Sequence, residues 1–351
     1  MKAEIIKTDR NAPDKELMKK AGEILKKGGL VAFPTETVYG LGGNALDKTA
    51  SERIYAAKGR PSDNPLIVHI AKWEDLPLIV KDIPEKAIIL GEKCWPGPLT
   101  MIFNKSEVVP YETTGGLDTV AVRFPSHMVA RELILAAGGY VAAPSANISG
   151  RPSPTRAEHV IEDLSDRIDM IIDAGETDIG LESTIVDFTS KEPMVLRPGF
   201  YNAEQIAGII GSIDIDKAII DSASKVKPKA PGMKYRHYAP KGDVTVVDGE
   251  RDAVANKINE LVSSKISEGK RTAVLCAMEN RQYYKNGIVL TLGSYEKEED
   301  IARHLFDALR KLDSLGAEYI YSEAFNTENL GAAIMNRLLK AAGQKIIYLK
   351  G

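Results

Sequence analysis

Cysteine and histidine are scarce in this sequence of 351 residues, and their scarcity excludes several kinds of site. The two cysteines, Cys94 and Cys276, cannot form a disulfide framework or a four-cysteine zinc site. The five histidines show no H-E-x-x-H metalloprotease pattern. A chain that needs no disulfides suits a reducing environment, so we expect a cytoplasmic protein.

Long apolar runs and a large excess of one charge are also absent. No uninterrupted apolar stretch approaches the roughly 20 residues of a membrane span, and the N-terminus MKAEIIKTDRNAPDKELMKK lacks the apolar core of a signal peptide. Lys plus Arg number 46 and Asp plus Glu number 49, which gives a net charge of −3. We therefore expect no membrane association, and any contact with nucleic acid should be local.

What is present is an alternation of short apolar strands with helices. Asp14 is an acceptable N-cap for a first helix that Gly28-Gly29 ends, and a buried strand at 30–33 follows. Helical stretches and long polar loops separate further strand-like segments, which lie at 66–70, 119–124, 140–143, 171–173 and 184–188. This pattern predicts an α/β fold with a twisted mixed sheet.

The composition changes near residue 220. From Lys225 to Pro240 the chain carries five cations, no acid and three prolines, which is typical of a semi-extended tether. Beyond it, strands alternate with helices and predict a second, smaller Rossmann-like α/β domain; the strands are expected at 244–247, 272–276, 287–290, 319–321 and 346–349. We predict a first domain at 1–215, a basic proline-containing linker at 216–240 and a C-terminal domain at 241–351.

The familiar nucleotide-binding motifs are missing. The sequence has no P-loop, and the glycines at 40–43 match a dinucleotide fingerprint only loosely, because six residues separate them from the strand that should lead into them. A protein that handles a nucleoside triphosphate must then hold the phosphates by other groups. Lys58-Gly59-Arg60, just after a predicted helix at 51–57, offers two cations for this task, although alone it is more typical of solvated surface charges.

Four further polar loops lie at predicted strand ends. PSAN, at 144–147, follows a strand at the edge where open α/β sheets bind ligands, although an ordinary Asx turn gives the same pattern. The segments 180–184 and 197–199 bring hydroxyls and a guanidinium to the same edge if their strands are neighbours. PTET, at 34–37, is a candidate pocket for a small amino or carboxyl group, although a turn with satisfied hydroxyls is the alternative.

Six motifs, in this order, resemble those of the YrdC-like threonylcarbamoyl-adenylate synthases: FPTETVYGL at 33–41, Lys58-x-Arg60, WPGPLT at 95–100, PSAN at 144–147, EST at 182–184 and RPG at 197–199. The match covers about residues 10–212. The tether, with KYRHYAP, and the C-terminal half resemble the long form of that family. The resemblance implies a mixed-sheet YrdC-like catalytic domain followed by a smaller Rossmann-like domain.

The resemblance also implies an activity. It is that of a nucleotidyltransferase that makes threonylcarbamoyl-AMP and pyrophosphate from L-threonine, bicarbonate and ATP, with Mg²⁺ accompanying the ATP. The product would pass to the tRNA threonylcarbamoyl transferase. This reaction needs no protein nucleophile, because it depends on positioning two anions and relieving the charge on the leaving group. A pocket of Lys, Arg, Ser and Asn suits it.

Roles for particular residues follow from the same resemblance. Lys58 and Arg60 are the expected catalytic pair, in contact with the triphosphate. The expected ATP-binding set is Lys58, Arg60, Ser62, Thr119, Ser145, Asn147, Ser153, Arg197, Tyr235 and His237. The expected threonine-binding set is Thr35, His69, Arg123, Ala143 and Ser183, with Thr119 assigned to both sets. No metal-binding residue is predicted, and His69 as a satisfied core histidine is an open alternative.

Two alternative functions and one conformational hypothesis accompany this interpretation. A related carbamoyl-adenylate step is carried out by larger enzymes with cysteine zinc fingers, which two cysteines cannot build. A non-catalytic RNA-binding module is disfavoured by the net charge of −3. The cationic tether, with Tyr235, His237 and Tyr238, predicts a lid that closes over bound ATP.

Overall fold

The computed structural model describes residues 2–216 and 237–349. Within these residues the chain forms two compact units, one holding 2–149 and 153–216 and the other holding 150–152 and 237–349. The three residues 150–152 therefore belong to the second unit, although both of their flanking segments belong to the first. No helix in the described part of the chain is long and apolar enough to cross a membrane.

The first unit is built on one mixed sheet, as predicted. In the described residues it has eleven strands, in the order β1-β8-β2-β3-β7-β4-β6-β5-β9-β10-β11. The strands are β1 (Glu4–Lys7), β2 (Val31–Phe33), β3 (Gly40–Asn44), β4 (Ile67–His69), β5 (Leu99–Asn104), β6 (Thr119–Arg123), β7 (Val141–Ala142), β8 (Met170–Asp173), β9 (Thr184–Asp187), β10 (Met194–Arg197) and β11 (Asp214–Ile215).

Helices cover both faces of this sheet. They are α1 (Lys15–Lys26), α2 (Lys48–Lys58), α3 (Leu76–Ile79), α4 (Glu85–Cys94), α5 (Tyr111–Thr114), α6 (Met128–Ala136), α7 (Ala157–Leu164) and α8 (Ala203–Ile210). Along β2, Val31 and Phe33 belong to one apolar cluster, whereas Ala32 belongs to the other. Because side chains alternate along a strand, the sheet has a core on each face.

Two helix boundaries show how local capping sets the ends. Asp14 accepts hydrogen bonds from two backbone N–H groups of the first turn of α1, which confirms its predicted role as N-cap. The predicted helix at 51–57 is too short, because Asp47 caps α2 and Gly59 takes the left-handed conformation that ends it. Lys58 is therefore the last residue of a helix and not a loop residue.

The register of the central strands aligns several polar residues. Thr100 on β5 pairs with Arg123 on β6, Arg123 pairs with His69 on β4, and His69 pairs with Val141 on β7. One row across four strands therefore carries a hydroxyl, a guanidinium and an imidazole at the same level of the sheet. The PSAN loop begins three residues after Val141.

The second unit has a parallel sheet of five strands in its described residues, in the order β14-β13-β15-β12-β16. They are β12 (Asp243–Asp248), β13 (Thr272–Cys276), β14 (Ile288–Thr291), β15 (Tyr319–Glu323) and β16 (Ile346–Tyr348), with helices at Arg251–Ser267, Glu298–Ser314 and Gly331–Ala341. The predicted α/β character of this half is confirmed. Buried Arg310 donates two hydrogen bonds to the carbonyl of Pro152, which holds the segment 150–152 in this unit.

Candidate active site

The end of α2 and the PSAN loop meet at a buried ammonium group. Lys58 is 2% exposed, and its Nζ donates to the carbonyl oxygens of Ser145 at 2.5 Å and Asn147 at 2.6 Å. The Ser145 hydroxyl donates to Asn147 Oδ1 at 2.6 Å. The structure thus brings together three residues of the expected ATP-binding set, with the positive charge of Lys58 buried beside the loop.

Arg60 supports the loop that enters β4. Its Nε donates to the carbonyl of Asn64 at 3.1 Å and its Nη2 to that of Pro65 at 3.0 Å. Ser62 lies exposed on the same loop. Thr119 begins β6 beside this end of β4, because Ile67 pairs with Ala121 two residues further on. Arg60, Ser62 and Thr119 therefore lie at the same end of these strands.

Thr119, which the sequence assigns to both substrate sets, lies at the opposite end of β6 from Arg123. It begins β6, whereas Arg123 ends that strand. Four residues of extended chain span about 13 Å. Thr119 is therefore grouped with the loop of Arg60, away from the row that contains His69 and Arg123.

Three loops are joined by backbone hydrogen bonds near the PTET segment. Ile179 N–H donates to the carbonyl of Glu36, Gly180 N–H to that of Thr37, and Tyr39 N–H to that of Pro154. Ser153, next to Pro154, donates its hydroxyl to the buried carboxylate of Glu182 at 2.6 Å. Glu182 receives no role from the sequence, although it stands first in the EST motif.

The two expected substrate sets meet at Ser183. Arg197, at the end of β10, donates through Nε to the carbonyl of Ser183 at 3.0 Å and through Nη2 to its hydroxyl at 3.1 Å. That hydroxyl lies 2.8 Å from the hydroxyl of Thr100. Arg197 belongs to the ATP set and Ser183 to the threonine set. The sequence analysis did not assign a role to Thr100. Its position at the end of the WPGPLT motif is the sequence feature that could have indicated one.

Steric crowding explains why the RPG motif has a glycine at position 199. A Cβ at Gly199 would lie 2.4 Å from the backbone nitrogen of Thr184 and 2.7 Å from the carbonyl carbon of Ser183. These are backbone atoms, so the clash cannot be relieved by a rotamer change. Gly199 therefore permits the close approach of the chain that carries Arg197 to the EST loop.

Replacing Gly199 by alanine should lower the free energy of unfolding by about 1–3 kcal/mol, the usual range for an overpacked site. Gly208→Ala is the matched control, because Gly208 lies inside α8 and a Cβ there meets nothing within 4 Å. That change should raise stability by about 0.5–1 kcal/mol through helix propensity. Urea unfolding measures both; equal effects of the two changes would contradict the steric interpretation.

Arg123 ends β6 among hydroxyls and one carboxylate. It is buried, and its Nη1 donates to the hydroxyl of Thr37 at 2.8 Å. The hydroxyls of Thr37 and Thr35 lie 2.8 Å apart. Glu36 Oε1 lies 2.8 Å from Arg123 Nη2, and both side chains are at most 7% exposed. The sequence analysis noted Glu36 only as one of three polar residues in the PTET segment and assigned it no role of its own.

His69 and Ala143 complete the expected threonine set. His69 Nδ1 lies 3.1 Å from the carbonyl of Ile67, and Ala143 N–H donates to the same carbonyl. Burial and then the charge of Arg123 lower the pKa of His69 to about 3. The imidazole is therefore neutral at physiological pH.

Of the two remaining expected ligands, the structure describes only His237. His237 belongs to the second unit, where it is buried with its ring 5.6 Å from that of Tyr238. Tyr238 in turn stacks on Phe306 at 5.1 Å. Tyr235 and most of the predicted lid lie outside the described residues.

The first unit thus gathers cationic, hydroxyl and amide groups from loops that are far apart in sequence. Lys58 and Ser145 are 87 positions apart, and Arg123 and Thr37 are 86. Such groups hold anions and polarised oxygens without forming a covalent intermediate. An α/β fold that brings such groups together without a P-loop is the arrangement expected of a nucleotidyltransferase-type enzyme.

Comparisons with known proteins identify the family. Residues 23–199 match the family model described as Telomere recombination, and residues 201–343 match the model described as Threonylcarbamoyl-AMP synthase, C-terminal domain. The threonylcarbamoyl-AMP synthase of Pyrococcus abyssi is 52% identical over 93% of this chain and 94% of its own length. That of Bacillus subtilis is 44% identical over 97% of each chain.

A solved structure agrees with this. The crystal structure of Pyrococcus abyssi Sua5 complexed with L-threonine matches with a TM-score of 0.93 and 50% identity, covering 99% of both chains. This chain therefore belongs to the threonylcarbamoyl-AMP synthase family. The family, fold and enzyme class predicted from the sequence are confirmed.

Proposed function

We propose that this chain condenses L-threonine, bicarbonate and ATP to threonylcarbamoyl-AMP and pyrophosphate, and that Lys58 supports the nucleotide half of the reaction. The observation that carries the proposal is the buried ammonium of Lys58 against the PSAN loop. A charge in such a site acts strongly, because little water screens it. It is preorganised to stabilise the negative charge that develops on the leaving pyrophosphate.

The threonine half of the pocket has groups of complementary chemistry. Arg123 offers a guanidinium for the substrate carboxylate, and the hydroxyls of Thr35, Thr37 and Ser183 offer donors and acceptors. The Pyrococcus abyssi protein is complexed with L-threonine, which supports this substrate for a chain of the same family. We assign threonine binding to Thr35, Arg123 and Ser183, with Ala143 beside them.

Neither cysteine of the chain is suited to act as a nucleophile, which agrees with a reaction directly between the bound substrates. Both cysteines are buried, and burial raises the pKa of each thiol, that of Cys276 to about 12. They are therefore protonated at neutral pH and poor nucleophiles. In the proposed reaction the carbamate of threonine attacks the α-phosphorus of ATP itself, and the protein positions the two anions.

Mg²⁺ enters this scheme with the nucleotide. Among residues 2–216 and 237–349, no three His, Cys, Asp or Glu side chains lie together as a metal site. Mg²⁺ binds well through phosphate oxygens and water with few protein ligands. We propose that it arrives as MgATP and offsets phosphate charge beside Lys58 and Arg60.

The product is a mixed anhydride that requires an acceptor. We propose that the tRNA threonylcarbamoyl transferase consumes it, so that the reaction serves the modification of adenosine in tRNA in the cytoplasm. The net charge of −3 favours delivery of the small product over tight binding of tRNA by this chain.

Pyrophosphate release tests the proposal. Release should require ATP, Mg²⁺, L-threonine and bicarbonate together, and labelled bicarbonate should appear in the nucleotide product in equal amount. Release that is unchanged without threonine or bicarbonate would contradict the proposed substrates. Salt-dependent tRNA binding without any pyrophosphate release would instead favour the RNA-binding module.

A further inference from the structure

The second unit has a cavity at the carboxyl ends of its parallel strands. Its volume is about 210 Å³, and its lining residues come from the ends of β12 and β15 and from the segments that follow β13 and β14. In the sheet, β13 and β15 are neighbours, but the chain leaves β13 for β14 on one side and leaves β15 for β16 on the other. Open α/β sheets bind ligands at such a point, where neighbouring connections diverge.

A buried carboxylate holds the side chains of this cavity in place. Glu323 ends β15, is 3% exposed and accepts four hydrogen bonds: from Ala277 N–H at 2.9 Å, Asn280 Nδ2 at 2.9 Å, the Tyr284 hydroxyl at 2.6 Å and the Tyr295 hydroxyl at 3.1 Å. A carboxylate has about four lone-pair positions, so that of Glu323 is saturated. It therefore orients its neighbours and leaves no acceptor of its own for a ligand.

The amide of Asn280 has an unpaired acceptor. This residue is 4% exposed, and its Nδ2 donates to Glu323 at 2.9 Å and to the Tyr295 hydroxyl at 3.2 Å. Because the carboxylate of Glu323 needs a donor, these contacts fix which amide atom is the nitrogen. Oδ1 accepts no hydrogen bond from residues 2–216 or 237–349, and Asn280 lines the cavity. Oδ1 is therefore the atom that remains for a donor on a ligand.

Asp248 provides a second acceptor group. It ends β12, is half-buried, and its carboxylate makes no hydrogen bond or ion pair with the described part of the chain. Arg251 is the cation of the lining, and its guanidinium lies over the ring of Tyr283 at 5.5 Å. Because Asp248 and Glu323 outnumber Arg251, the lining has a net negative charge. A ligand with hydrogen-bond donors and no negative charge is complementary to it.

We propose that this cavity binds an uncharged nucleoside whose base carries an amino group. The two ribose hydroxyls donate to the carboxylate of Asp248, and the amino group donates to Asn280 Oδ1. The planar base packs against the apolar side chains of Val247 and Val254 and the partly exposed ring of Tyr295. The cavity is smaller than the roughly 300–1,000 Å³ of most ligand pockets, so it suits a nucleoside and not a dinucleotide.

Equilibrium dialysis of the full chain with labelled adenosine tests the site. Saturating MgATP is present, because it occupies any nucleotide site that accepts phosphates. One adenosine per chain should still bind. Binding of 2′,3′-dideoxyadenosine, which lacks the diol, should be weaker by about tenfold or more, the size of a charge-assisted contact. Inosine, which lacks the amino group, should bind about threefold or more weakly, the size of a neutral hydrogen bond.

Asp248→Asn separates this site from any other in the chain. It removes the charge that accepts the diol and should weaken adenosine binding by about tenfold or more. Asp252→Asn is the matched control, because Asp252 is exposed, lies four residues further along and does not line the cavity. The control should bind adenosine as the unchanged protein does. Thermal unfolding shows whether both variants are folded.

Three results would overturn the proposal, which is independent of the proposed function because its groups all lie in the second unit. If MgATP displaces all of the adenosine, the second unit has no nucleoside site of its own. Equal binding by Asp248→Asn and the unchanged protein would exclude the contact with Asp248. Equal binding of adenosine and 2′,3′-dideoxyadenosine would exclude the ribose contact, and this comparison still decides if Asp248→Asn does not fold.

Discussion

Replacing Lys58 by alanine should lower the rate of threonylcarbamoyl-AMP formation by about 10²–10³, the effect of removing one preorganised charge contact in an active site. The ammonium is buried and oriented by the carbonyls of Ser145 and Asn147, so no other group moves into its place without rearranging the PSAN loop. The loss should appear in kcat, because the charge on the leaving pyrophosphate develops only in the transition state. Pyrophosphate release at saturating substrates measures it.

Lys48→Ala is the matched control for this experiment. Lys48 lies at the other end of the same helix, α2, and its removal should leave turnover within about twofold of normal, as for a surface change without special contacts. Circular dichroism and thermal unfolding show whether each variant is folded. A folded Lys58→Ala enzyme with near-normal kcat would remove Lys58 from the reaction.

Replacing Arg123 by alanine should lower the free energy of unfolding by about 3–5 kcal/mol, because it leaves the carboxylate of Glu36 buried without a counter-charge. The hydroxyl of Thr37 also loses its donor. Adding Glu36→Gln to this variant should recover part of the loss, since the amide carries no charge. Urea unfolding of the single and double variants measures the difference.

An exposed ion pair provides the control for the effect of Arg123→Ala on stability. Lys20 and Glu4 contact each other on the surface, with side chains 52% and 48% exposed. Lys20→Ala should therefore change stability by at most about 1 kcal/mol. If Arg123→Ala is as mild as Lys20→Ala, the ion pair between Arg123 and Glu36 is hydrated in solution and not buried.

Local sequence signals determined the elements of this protein well. Asp14 caps α1 through its own side chain, and the run at 272–276 forms a strand with the predicted bounds. These features depend on neighbours within a few residues, so a single sequence contains the necessary information. The ordered motifs identified the family in the same way, because their spacing is a property of the chain itself.

The contacts around the candidate site were predicted less completely, because they join distant segments. Glu182, Glu36 and Thr100 stand inside recognised motifs, yet nothing near them in sequence shows that their partners are Ser153, Arg123 and Ser183. Strand order and register supply that information. A shift of one residue would turn Thr100 or Arg123 to the opposite face of the sheet.

The sequence by itself therefore determined the fold class and the family, through patterns that act over short distances. The tertiary structure alone decided which groups touch: Lys58 as a buried helix end against PSAN, Thr119 apart from Arg123, and residues 150–152 in the second unit. The physical reason is that burial and pairing are properties of packed elements. A loop's own residues do not encode which loop it will meet.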